Sequence, residues 1–188
     1  DMAVLFEEFG RAAMTEPMFS TVVLGALPIL AWGTEEQKKA FLPKVAAGEL
    51  FLTLAMAEPK VNEDPSFIST RAMTKDDGFL IHGTKLFVPY AHIADYLLVV
   101  ARTRGIAGDR KGITVFIVDR KSQGINITPL ATIAADKQFE VSFDKVFVPS
   151  KNILGSLHNG LRLITETLKK AAAIQCAEMV GGAEQEME

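Results

Sequence analysis

The chain has 188 residues, 48% of them hydrophobic and 23% charged, enough to bury a core in one large domain or two small ones. A formal net charge of −3, a pI near 5.7 and no basic run longer than a pair give no electrostatic footprint for nucleic acid. A single cysteine, Cys176, excludes an internal disulfide framework and fits a reducing compartment.

From Asp1 to about Gly48 the pattern is helical. Met2 to Ala13 places Val4, Leu5, Phe9, Ala12 and Ala13 near one face at 3.6-residue spacing, and Gly10 ends or loosens this helix. Thr21 to Trp32 reads as a second, nearly all-apolar buried helix interrupted by Pro28; its apolar run from Val22 is too short to span a bilayer. Thr34-Glu35-Glu36-Gln37 is a capping box opening a third helix, with Phe41 and Leu42 inward and Lys38 and Lys39 outward.

From Leu50 to about Pro149 the period changes to two. Strands are expected at Phe51–Ala55, Ser69–Thr74, Phe79–His82, Lys85–Pro89, Tyr96–Thr103, Thr114–Asp119, Ile125–Thr128 and Phe139–Phe143. Turn residues separate them, His82-Gly83 among them. Several short strands at this spacing predict an antiparallel sandwich or barrel. No βαβ alternation and no glycine-rich dinucleotide loop supports a Rossmann fold.

From Asn159, an N-cap candidate, the chain is helical again. Leu161, Ile164, Leu168, Ala171 and Ala172 line one face, Cys176 is expected as an inert core thiol, and Gly181-Gly182 stops or breaks the helix. Both ends run into helical pattern without a leader or a packed continuation, as expected of a fragment or of a subunit covered by a partner. His82, His92 and His158 stand far apart with no second ligand near in sequence, which argues against a metal site. No serine lies in a Gly-x-Ser-x-Gly context, so a hydrolase triad has no support.

The fold class is therefore α+β, in three parts: helices at 1–49, a β-domain at 50–155 and the start of a helical part at 156–188. Several segments in this order carry a resemblance. They are Glu7-Glu8-Phe9-Gly10-Arg11, Gly33 to Lys38, Phe41 to Lys44 and Ala47-Gly48-Glu49. Leu54-Ala55-Met56-Ala57-Glu58-Pro59, Phe79 to Lys85, Ile93-Ala94-Asp95, Val99 to Thr103, Phe143 to Pro149 and Asn152 to Gly155 continue it. Together they resemble the acyl-CoA dehydrogenase family over nearly the whole chain.

The resemblance implies an FAD-dependent α,β-dehydrogenation of an acyl-CoA thioester, in which a glutamate takes the α-proton and the flavin takes the β-hydride. It implies an electron-transfer acceptor, a homo- or hetero-oligomer, no membrane span, and a place in the cytoplasm or the mitochondrial matrix. The family's catalytic glutamate lies beyond the part that this chain matches, so no residue here is assigned as the base. Leu54, Met56 and Ala57 map to the strand end that faces the flavin, and Phe87-Val88-Pro89 to its second wall. Asn62 and Glu63 map to the phosphate-side and acyl-CoA loop, and Leu168 and Lys169 to the pantetheine-facing helix. Ala57 stands where the family has a threonine, Pro89 where it has a hydroxyl residue, Glu63 where it has serine, and Lys169 where it has aspartate. Two readings follow: a flavin-dependent dehydrogenase, or a structural subunit of a heteromeric dehydrogenase without its own flavin.

Overall fold

The computed structural model describes residues 2–15, 17–60, 64–134 and 136–187. Among the described residues, four helical segments, two single 3₁₀ turns (Pro65–Phe67 and Ser150–Asn152) and eight strands run in the order helices, strands, helix. Helix α1 is Met2–Arg11; a π-helical stretch Phe19–Ala26 runs directly into α2, Leu27–Trp32; α3 is Glu35–Ala46; and α4 is Gly160–Met187. The strands are β1 Leu52–Ala55, β2 Arg71–Lys75, β3 Gly78–Pro89, β4 Tyr96–Arg102, β5 Ile113–Asp119, β6 Ile125–Leu130, β7 Gln138–Pro149 and β8 Ile153–Leu154.

The strands form one sheet in the order β6-β7-β3-β2-β4-β5-β8, with β1 attached to β4. Most pairings are antiparallel; β1 and β2 each meet β4 in parallel. Strands β4 and β5 are buried on both faces, which is why they read as continuous Val/Ile/Leu runs rather than alternating ones. One face joins Phe79, Ile81, Val99, Phe116, Val141 and Phe143 in a core within the sheet domain. The other joins Leu54, Leu98, Val115 and Ile117 to Ile29 and to Ile164 of α4. A third, smaller cluster sets Phe6 and Val23 against Ala171 and Ile174. Among the described residues, helices pack against one face of the sheet domain.

Several expectations are corrected. The two strands Phe79–His82 and Lys85–Pro89 are one strand, because β3 pairs with β7 along its length and absorbs His82-Gly83 as a register shift. Gly83 is there for close approach: a Cβ would stand 2.7 Å from Thr70 Oγ1. On α1 the inward residue is Phe6, while Val4 and Leu5 are exposed, and the helix ends at Arg11. Pro28 does not interrupt the second helix: the chain passes through it from the π-helical stretch into α2. Cys176 is exposed. Gly181-Gly182 does not stop α4. A Cβ on Gly181 would lie 1.8 Å from the Glu7 carbonyl oxygen, and one on Gly10 1.8 Å from that of Glu178. These glycines let α1 and α4 cross backbone to backbone. The capping box of α3 forms as expected, with Thr34 and Gln37 bonding reciprocally.

Candidate functional site

The segment Met56-Ala57-Glu58 leaves the sheet at the end of β1 and is sewn onto β3. The Ala57 carbonyl accepts from Leu86 N at 2.9 Å. The Met56 carbonyl accepts from Lys85 Nζ at 3.0 Å, and the same ammonium donates to Glu58 Oε1 at 2.8 Å. Lys85 is fully buried and the Glu58 side chain is 7% exposed. Glu58 also accepts from Ser69 N, Ser69 Oγ and Thr70 N. One carboxylate therefore reaches across ten residues of sequence to Ser69 and Thr70, and one lysine fixes that carboxylate to the sheet.

Burial alone would raise the Glu58 pKa, but the charge of Lys85 and the hydrogen bonds from Lys85, Ser69 and Thr70 bring it down to about 2. Burial lowers the Lys85 pKa, against the pull of Glu58. The ionised pair is the state that satisfies every one of these donors. Glu58 thus ties the end of β1 to β3 and to Ser69-Thr70. The legible signal was parity: Phe79, Ile81 and Lys85 fall on the same alternation of one strand, so a cation occupies an inward position and needs a buried anion.

The expected flavin-facing residues come together at this rim. Leu54 is buried, with only its backbone at the strand end; Met56 is half-buried and Ala57 exposed. Between Lys85 and Val88 the β3–β7 register shifts again, and Phe87 takes φ +51° there. The bulge turns its ring outward, 57% exposed, while Val88 is buried. Pro89 accepts from Thr53 Oγ1 at 2.6 Å through its carbonyl and has no N–H. The rim thus keeps an exposed aromatic face beside an open strand end. It does not supply the side-chain contacts the resemblance implies for FAD: Ala57 and Pro89 have no hydroxyl, and the Pro89 carbonyl is already engaged. The rim's side chains do not fit a flavin in the family's manner.

The residues expected to face acyl-CoA separate. Asn62 and Glu63 lie outside the described residues. Leu168, like Met56, packs against the core shared by sheet and helices. Lys169 instead lines a cleft of about 670 Å³ at the start of α4, with Trp32, Arg110, Lys111, Arg162 and Glu166. Four cations face one carboxylate there. Arg162 donates through Nε to Glu166 at 2.8 Å, and its guanidinium stands 5.5 Å from the Trp32 ring centre. Arg110 and Lys111 come from the β4–β5 loop, and nothing in local spacing brings that loop to the start of a helix about fifty residues on.

Two family models match this chain. The acyl-CoA dehydrogenase N-terminal domain matches residues 1–49 and the middle domain residues 53–146. The chain belongs to the acyl-CoA dehydrogenase family. It is 35% identical over 169 residues to acyl-CoA dehydrogenase FadE34 of Mycobacterium tuberculosis, covering 89% of this chain and 24% of that protein. The structure named Tcur3481-Tcur3483 steroid ACAD superposes with a TM-score of 0.86 at 31% identity, over 96% of this chain and 46% of that one. The ChsE4-ChsE5 complex from Mycobacterium tuberculosis gives 0.80 at 29% identity, over 89% and 43%. The chain thus spans less than half the length of each of these relatives. Among the described residues, no helix is long and apolar enough to cross a membrane.

Proposed function

We propose that the complete protein is a subunit of a heteromeric acyl-CoA dehydrogenase, and that this chain shapes the site without holding a flavin of its own. The observation that carries this reading is the rim. Its backbone scaffold is intact, from the buried Glu58–Lys85 pair to the bulge at Phe87, while Ala57 and Pro89 offer no side-chain group to a flavin. Two of the structural neighbours bear paired names, a steroid ACAD and a named complex, which supports assembly with a related chain.

The cleft supports a coenzyme A thioester as the ligand class. CoA carries several phosphate charges, and Arg110, Lys111, Arg162 and Lys169 supply the opposite sign around a semi-enclosed space beside Trp32. On this reading Lys169, at the family's aspartate position, serves the phosphates rather than the pantetheine amides. The acyl group would extend toward Leu168 and Met56.

The alternative is FAD-dependent dehydrogenation with the flavin on this chain, and the exposed ring of Phe87 favours it: a bulge that presents an aromatic face to solvent is suited to stack on a planar ligand. Co-expression separates the two. The complete protein is purified alone and together with a related chain, and flavin is counted per polypeptide. The proposal expects flavin only in the mixed assembly, at one per pair. One flavin on every chain of the protein purified alone would establish the alternative.

A further inference from the structure

Arg102, the last residue of β4, is 1% exposed, and every hydrogen-bond partner it has among the described residues is a backbone carbonyl. Its Nε donates to Ile68 O at 2.8 Å and its Nη2 donates to Ser66 O. On the other side Nη1 donates to Lys111 O at 3.2 Å, Asp109 O at 3.3 Å and Arg104 O at 3.4 Å. One guanidinium thus gathers carbonyls from two loops, the turn before β2 and the β4–β5 connection. A buried cation satisfied this way is a rigid device. The five donors are fixed in one plane, and losing the carbonyls of either loop would leave buried donors unpaired.

The β4–β5 loop is shaped to reach it. Gly105, Gly108 and Gly112 all have positive φ, Gly108 N donates to Ser66 O, and Gly112 N donates to His158 O just before α4. The two carbonyls that flank Arg110, those of Asp109 and Lys111, are both tied to Arg102. Arg110 and Lys111 are the cations that this loop brings to the cleft. Arg102 itself does not line the cleft.

We propose that Arg102 is a positioning residue for phosphate recognition: by binding the carbonyls on either side of Arg110 it holds Arg110 and Lys111 in place for a CoA-class anion without touching it. This rests on the reading of the cleft as a CoA site. Preorganisation is the physical reason. A loop already fixed loses less conformational freedom when the anion binds, so the affinity gained per contact is larger.

The test uses the complete protein with free CoA as the probe, and compares Arg102→Lys and Gly108→Ala with Arg110→Ala. Lysine keeps the buried charge but cannot span both loops. Alanine at Gly108 strains a φ of +98° and leaves Arg102 intact. Calorimetry gives the dissociation constant, and hydrogen exchange reads the amides of residues 104–111. The expected result is a loss of affinity of about tenfold, or 1.4 kcal/mol, in all three variants. Faster loop exchange is expected in Arg102→Lys and Gly108→Ala only, with thermal midpoints showing a folded protein. Unchanged CoA affinity in both loop variants despite faster exchange would overturn the positioning role. So would a loss of affinity that tracks global unfolding rather than loop exchange. If Arg110→Ala binds CoA as tightly as the parent protein, the reading of the cleft fails first, and the inference falls with it.

Discussion

The rim at 56–58 and 85–89 and the cleft at the start of α4 are built on the same plan and differ in what they show a ligand. Each is organised by one buried cation, Lys85 in the first and Arg102 next to the second. At the rim the scaffold is kept and the ligand-facing side is bare: a methyl at Ala57, a ring at Phe87, a tertiary amide at Pro89. At the cleft the ligand-facing side is crowded with charge. The difference separates two demands on a sequence. Buried polar groups answer to each other, and removing one leaves its partners unsatisfied. Groups at the surface answer only to the ligand, so they change freely once the ligand does.

The largest expected effect comes from breaking the rim's scaffold. Glu58→Gln strands the Lys85 ammonium and should lower stability by about 3–5 kcal/mol, measured by urea unfolding. The double variant Glu58→Gln with Lys85→Met should recover much of that loss, because it removes both charges. An undiminished loss in the double variant would show that the loop contacts to Ser69 and Thr70 matter more than the pair. The same carboxylate sets an acid limb. Its folded pKa lies near 2 against an ordinary 4.5. Its contribution is therefore complete above about pH 4.5 and is lost as pH falls toward 2. Unfolding free energy measured from pH 5 to 2 should fall in the parent protein and be flatter in Glu58→Gln.

Restoring the rim's surface should have a smaller effect. Ala57→Thr with Pro89→Thr supplies two hydroxyls, each worth about 0.5–1.5 kcal/mol if it finds a partner. Flavin affinity, read by titration, should rise by roughly five- to hundredfold over the parent protein. No rise would mean that the rim's backbone also departs from what a flavin needs. The smallest effect belongs to the cleft. Lys169→Ala removes one exposed cation and should weaken CoA by about 0.2–1 kcal/mol, with the difference shrinking as salt increases. A salt-independent loss would point to packing rather than charge.

Much of the fold was legible because its signals are local. The capping box at Thr34, the two-residue alternation of the strands and the apolar face of α4 each depend on neighbours a few residues away. The failures have a common cause in long-range contact. Gly10, Gly181 and Gly182 read as helix breakers because their partners, backbone atoms of the opposing helix, are about 170 residues away in the chain. His82-Gly83 read as a turn because the β7 strand that carries it through was not visible from β3 alone. At the site, the replaced residues Ala57, Pro89 and Lys169 stood out in the sequence. The residues that hold the site in shape did not: Lys85 and Arg102 looked like ordinary strand residues, although an inward position on β3 and the end of the all-apolar run of β4 each place a cation where it needs partners.

Absorbance of the complete protein, purified alone after growth with ample riboflavin, tests the central claim most directly. A colourless protein is expected, with no bands at roughly 370 and 450 nm, the positions of the oxidised flavin chromophore, and both bands should appear when a related chain joins it. Stoichiometric flavin absorbance in the protein purified alone would contradict it.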